Sequence, residues 1–269
     1  MVCRVRLRRG MTLAELLVAA SIMLLIAGAT GTLAMTAHSA NGFCQGQTAC
    51  AQHGRVIMNR IERAVQAAVA NESFPGVLIV SEQSGGSTLP STLVVWSPTA
   101  TAANPSGLPL ISEIVVFSPD PSHPNQLLEI RSPTEATAVP AASDTTGWQT
   151  LTDRLKTSAS TTKIVLTDRL KTVPVSGTYS DSAAATDLRG VVRFRRFMAP
   201  TDTEWSQYRA ATKTWVNLNW PTDSYRTSSG TRVVACQTEL HLVPGSMAAA
   251  TFTVVPFFGS ASLTYELSR

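Results

Sequence analysis

Residues 11–37 read MTLAELLVAASIMLLIAGATGTLAMTA, and Glu15 is the only charged side chain among them. About 20 apolar residues rising ~1.5 Å each cross a hydrocarbon core of roughly 30 Å, so the stretch is long enough for one transmembrane helix. Arg4, Arg6, Arg8 and Arg9 stand just before it. Basic flanks stay on the cytoplasmic side, which places the N-terminus inside and everything after residue 40 or so outside. An ordinary secretory signal also has a basic start and an apolar middle, but its apolar region runs only ~7–15 residues and lacks an acidic residue. A carboxylate costs roughly 2.5–3.5 kcal/mol at the centre of a span and less near its end, so Glu15 calls for a partner or a purpose.

The charge distribution supports a targeting role for the start of the chain. The 269 residues carry 22 Lys and Arg against 18 Asp and Glu, a formal net charge of +4. Setting aside the four leading arginines leaves 18 basic against 18 acidic groups. A basic leader on a neutral body argues against a broad nucleic-acid footprint. Charged residues make up only 15% of the chain while Ser, Thr, Ala, Pro and Gly abound, a balance that suits an exported β-domain with polar turns. Of the cysteines, Cys3 falls in the leader, and Cys44, Cys50 and Cys236 allow at most one internal bridge. A disulfide framework is therefore excluded. Free thiols, or one of the first two paired with Cys236, are the readings left open.

The run Arg8-Arg9-Gly10-Met11-Thr12-Leu13-Ala14-Glu15-Leu16-Leu17 resembles the processing signal of type IV pilins and type II secretion pseudopilins. The resemblance implies cleavage after Gly10 by a prepilin peptidase, N-methylation of Met11, and Glu15 as the assembly glutamate at the fifth mature position. Methionine stands at the first mature position where the family usually has phenylalanine. It also implies a structural subunit, minor in the sense of J-type or W-type subunits, which is not an enzyme and carries no cofactor. The implied partners are other pilin or pseudopilin subunits, the inner-membrane assembly platform and membrane lipid. Nucleic acid is not expected unless the filament takes up DNA. Physically, a membrane-embedded Glu15 carboxylate can be neutralised by the α-amino group of Met11 on a neighbouring subunit.

Beyond the span, Val56, Ile57, Ile61, Ala64, Val65, Ala68 and Val69 recur at helical spacing, with Arg55, Asn59, Glu62, Arg63 and Gln66 largely opposite. This predicts an amphipathic stem ended by Asn71 to Gly76, with an interruption at Gly42, Gly46 or Gly54. Strand-like runs follow at 77–80, 92–96, 113–117, 127–131, 163–166, 191–197, 232–243, 250–255 and 262–267, with loops at 98–109, 132–149 and 176–189. The fold class expected is α+β: a long N-terminal helix, membrane-spanning in its inner half and amphipathic in its outer half, packed on a mainly antiparallel sheet. The domains read as 1–10 leader, 11–40 membrane and assembly helix, 41–74 stem, and 75–269 extracytoplasmic head, on the outer side of a bacterial inner membrane.

Leu151-Thr152-Asp153-Arg154-Leu155-Lys156-Thr157 returns unchanged as Leu166-Thr167-Asp168-Arg169-Leu170-Lys171-Thr172. Two copies make a local duplication and fall short of a stacked-repeat fold. Cys44, Cys50 and His53 lack metal-ligand spacing, and the four histidines stand beside no catalytic motif, so neither a catalytic nor a metal site is expected. His123, within Asp120-Pro121-Ser122-His123-Pro124-Asn125, reads as a solvated turn. Val191-Val192-Arg193-Phe194-Arg195-Arg196-Phe197 interleaves basic and aromatic residues and reads as a two-faced strand rather than a nucleic-acid contact. Gly28 and Gly31 permit close helix packing. Two other functions are compatible with these features: a membrane-anchored binding or enzymatic domain, and a pilus-tip adhesin or DNA-uptake subunit.

Overall fold

The computed structural model describes residues 12–84, 87–174, 188–221, 224–244 and 254–269. The first helix, α1 (Leu13–Gln66), is 54 residues long and passes without a break through Gly42, Gly46 and Gly54, so the expected interruption is absent. The chain divides between Thr48 and Ala49 into two compact units, and α1 contributes to both.

In the second unit the buried α1 residues Cys50, Gly54, Ile57, Met58, Ile61 and Val65 recur three to four apart and share one face. Gly54 has a purpose here, because a side chain at this position would collide with the ring of Phe257. The helix stops at Gln66, earlier than residue 70. Asn71 Oδ1 then accepts the amides of Ser73 and Phe74, each at 2.8 Å, closing the turn. Gly76 takes a left-handed φ of 79°, and a Cβ there would press on the Val69 carbonyl, so glycine is required.

An antiparallel sheet follows in the order β1 (Val77–Ser84), β2 (Ser87–Trp96), β3 (Ile114–Pro119), β4 (Leu127–Arg131) and β5 (Thr162–Thr167). These strands correspond to the first five runs read from the sequence, and sequential antiparallel pairing makes them a meander. β1 to β4 are apolar at consecutive positions because both of their faces are covered, whereas β5 is largely exposed. Val77, Leu93, Val95, Val115, Phe117 and Leu127 join the core with α1. Leu78, Val80, Val94, Trp96, Val116, Leu128 and Ile130 join a second core with Trp148, Leu151 and Leu155 of α2 (Thr145–Thr157).

The later runs leave the meander. After the short ribbon of β6 (Thr172–Pro174) and β7 (Leu188–Gly190), strands β8 (Val192–Ala199), β9 (Ser229–Leu242) and β10 (Val255–Ser268) form a separate antiparallel sheet in the order β10-β9-β8. Its inner face, including Phe194, Val234, Cys236, Leu240 and Leu263, packs into the α1 core. Between β8 and β9, α3 (Asp202–Arg209) carries Trp205 into a small cluster with Trp215, Leu218 and Leu267.

Three expectations need correction. Residues 132–149 are not all loop, because Asp144 caps α2 by accepting the Gly147 amide at 2.9 Å and the helix begins at Thr145. The loop expected at 176–189 ends in β7, and residues 175–187 lie outside the described residues. The strand expected at 250–255 lies mostly outside them too, while β10 runs longer than 262–267. The α+β class, with α1 packed on mainly antiparallel sheet, stands as read.

Candidate functional site

Gly10 and Met11, the expected cleavage and methylation positions, lie outside the described residues. Thr12 and Glu15 lie within them and form a reciprocal cap. Glu15 Oε2 accepts both the backbone amide and the hydroxyl of Thr12 at 2.9 Å, while Thr12 Oγ1 accepts the Glu15 amide at 3.3 Å. Thr12-Leu13-Ala14-Glu15 is thus a capping box that satisfies two of the free donors at the start of the helix. The threonine-x-x-glutamate spacing was legible in the sequence, yet Thr12 was not singled out there. Glu15 Oε1 has no partner among the described residues.

From Leu13 to Phe43 the large apolar side chains of α1 are all exposed, with Leu13, Leu24, Leu25 and Met35 at 74–81%. An apolar surface of this extent is far larger than soluble monomers tolerate. α1 is a single helix long and apolar enough to cross a membrane. Its hydroxyls are suited to a dry surrounding: Thr30, Thr36 and Ser39 each bond back to the carbonyl four residues earlier. Beside Glu15, the side chains of Ala14, Val18, Ala19 and Ile22 form a shallow concave strip along the helix. Gly28 and Gly31 have open space where a side chain would stand, so nothing within this unit fills them.

The β-rich unit holds several ionised groups in structural positions. Glu129 is 2% exposed and receives Arg60 of α1 at 2.5 Å and Arg131 at 3.2 Å. Burial pushes the Glu129 carboxyl up, but the bonds from Arg60 and Arg131 and their charges outweigh it and hold it below its ordinary range. Arg232, 2% exposed, bonds Asp202 at 2.8 Å, the Pro200 carbonyl and the Tyr265 hydroxyl, and Arg196 meets the same Asp202 at 2.9 Å. These contacts tie α3 to β8, β9 and β10. The sequence did not mark these pairings, because the partners stand between 2 and 69 positions apart and most are brought together only by the fold.

No group of three or more metal-binding side chains occurs among the described residues. Cys44, Cys50 and Cys236 are free, and the last two are buried. Cys50 sits level with Arg169, and Cys236 lies opposite Ala261, several residues further along the sheet, so the considered pairing does not form. His123 is an exposed turn residue near Asp120 at 3.4 Å, as its surroundings predicted. In β8 the faces divide as Arg193, Arg195 and Phe197 outward, Phe194 inward and buried, and Arg196 inward onto Asp202. The strand is two-faced, but its aromatic residues are split between the faces.

No protein-family profile, curated protein or solved structure matches this chain. The class defined by its own geometry is an α+β protein in which one long apolar N-terminal helix precedes, and then packs within, a mainly antiparallel β-rich unit.

Proposed function

We propose that this chain is a structural subunit, minor in type, of a type IV pilus or a type II secretion pseudopilus. In this reading a prepilin peptidase cuts after Gly10 and methylates Met11, and the mature chain enters the filament through α1. The observation that carries the reading is the placement of Glu15. It is the only charge in the apolar stretch, it stands fifth after the proposed cut, and among the described residues one of its carboxylate oxygens has no partner. The α-ammonium of a neighbouring Met11 is a donor of the right charge for that oxygen, and the pairing removes an otherwise costly lone carboxylate from the lipid. The strip beside Glu15 gives a neighbouring helix a surface to lie on.

The chain itself catalyses nothing in this reading, and its partners are the peptidase, other subunits, the assembly platform of the inner membrane and lipid. The deciding experiment is mass spectrometry of the N-terminus of protein recovered from its native membrane. N-methylated Met11 is the expected first residue. An intact leader in cells with a working prepilin peptidase, or cleavage near residue 37, would overturn the filament reading and leave a membrane-anchored or secreted domain.

A further inference from the structure

The sheet β10-β9-β8 has one face in the core and one face open. The pairing register sets the open face in rows across the three strands: Phe258, Glu239 and Arg193; Ser260, Gln237 and Arg195; Ser262, Ala235 and Phe197; Thr264, Val233 and Ala199. Among the described residues no element covers these rows. Phe258 is 72% exposed and Phe197 53%, unusual for aromatic side chains in a unit with a full core.

The first row continues past Arg193 into a hollow of about 270 Å³ whose wall is mostly apolar, with Leu89, Pro90, Pro119, Pro121, Pro124 and Pro174, but also holds Glu82, Asp120 and Arg189. Arg193 and Glu239 line it as well, and they also line the concave surface beside Phe258. Read across the sheet, the row is therefore an aromatic knob, a negative charge, a positive charge and an apolar hole. Reversed, it is its own complement. A void of ~150 Å³ holds a benzene ring, so this hollow has room for a phenyl group.

We infer that this face docks a second copy of the chain through a two-fold contact. The axis runs along the strands between β9 and β8, and a two-fold requires each residue to meet its complement reciprocally. Phe258 of one copy then enters the proline-lined hole of the other, and Glu239 lies over the other copy's Arg193. In the rows below, Gln237 lies over Arg195, Ala235 over Phe197 and Val233 over Ala199, so small residues meet large ones and no like charges meet. Within one chain Arg193 and Glu239 stand 4.0 Å apart, a loose pair with room to share a second partner. Three strands and four rows make a patch of roughly 10 by 20 Å, smaller than the specific interfaces of stable complexes, so the contact is weak and reversible. It goes beyond the filament reading, since neither α1 nor processing at Gly10 enters it.

Charge exchange between copies tests the contact. Full-length chains carrying Cys3→Ser are labelled with donor or acceptor dye at exposed Cys44, and energy transfer is read in detergent micelles. Arg193→Glu alone sets Glu against Glu, and Glu239→Arg alone sets Arg against Arg, so each is expected to weaken association by roughly tenfold or more. A mixture of the two variants pairs opposite charges at both positions and is expected to regain the wild-type signal, which repair of folding within one chain cannot produce. Phe258→Ser is expected to weaken association to a similar degree, as loss of a buried aromatic anchor does. Association that ignores these substitutions, or a mixture no better than either variant alone, overturns the inference while leaving the filament reading untouched.

Discussion

Lys156 of α2 and Glu82 of β1 meet at 2.5 Å with the lysine side chain 3% exposed. Thr92 of β2 donates to the same carboxylate oxygen at 2.7 Å, so the pair fastens α2 onto the first two strands of the meander. Burial pushes the Glu82 carboxyl up, but Lys156 and the hydroxyls of Thr92 and Ser91 more than offset this and hold it below its ordinary value. Removing one partner strands a buried charge, whereas removing both does not. Lys156→Met is expected to destabilise the β-rich unit by about 2–4 kcal/mol, and Lys156→Met with Glu82→Gln by clearly less. Urea unfolding followed by tryptophan fluorescence measures both.

Glu82 and Glu129, two of the carboxyls held below their ordinary range, share one direction of acid sensitivity. The ordinary value for each is 4.5, and the folded value lies below it. Between the two values the unfolded chain binds the extra proton, so stability rises with pH across that window. The contribution is complete above 4.5 and is lost as the pH falls through the folded values. Melting temperature should therefore drop steadily on acidification below pH ~5, and Glu129→Gln should make the drop shallower while lowering the neutral-pH value.

Leu155 and Leu170 hold the same place in the duplicated heptapeptide but lie in different cores. The first copy is helical within α2, and the second closes β5, turns, and opens β6. The turn is held by Asn125, which donates to the Asp168 carbonyl at 2.9 Å, and by the Leu170 amide, which donates to the Asn125 carbonyl. Asp153→Pro breaks a helix interior and is expected to cost about 3 kcal/mol or more. Asp168→Pro leaves those two bonds in place and is expected to cost under about 1.5 kcal/mol. Paired denaturation curves distinguish the two sites despite their identical neighbours.

Thiol labelling provides a third check on the packing. Burial pushes the Cys236 thiol up to about 12, and Cys50 is also raised, chiefly by burial, so both stay protonated at neutral pH. Of Cys44, Cys50 and Cys236, a maleimide is expected to modify only Cys44 in the folded protein and all three in denaturant. Mass spectrometry counts the adducts, and rapid labelling of Cys50 in the native chain would contradict its place in the α1 core.

Capping and assembly make different demands on Glu15. A cap needs an oxygen acceptor, which glutamine supplies, so helix formation should survive Glu15→Gln. Pairing with an ammonium needs the charge, so under the proposed function the same substitution should sharply reduce assembled filament. Glu15→Gln that assembles normally would assign Glu15 to the cap alone.

The apolar stretch with its single glutamate was readable at once, because membrane-length hydropathy is a property of a continuous segment. The first four strands were readable for a similar reason, since β1 to β4 are apolar on both faces and turn residues separate them. α2 was not. Its heptapeptide occurs again as strand and turn, so local preference cannot decide its structure. Asp144 as a cap, Trp148 in the core and Lys156 against Glu82 make the helix. The alternation in β8 likewise announced two faces, but Arg196 turns inward because Asp202 is there to receive it.

By itself, then, the order of residues determined the apolar N-terminal helix, the class of the fold and most strand positions, all of which follow from periodicity within a short window. The tertiary structure alone decided which of two identical heptapeptides is a helix, which carboxylates are buried, and that Phe258, Glu239 and Arg193 stand in one row beside a proline-lined hole. Those relations join residues up to 169 positions apart in the chain, from Leu89 to Phe258, and energies acting over such separations leave no periodic trace in the sequence.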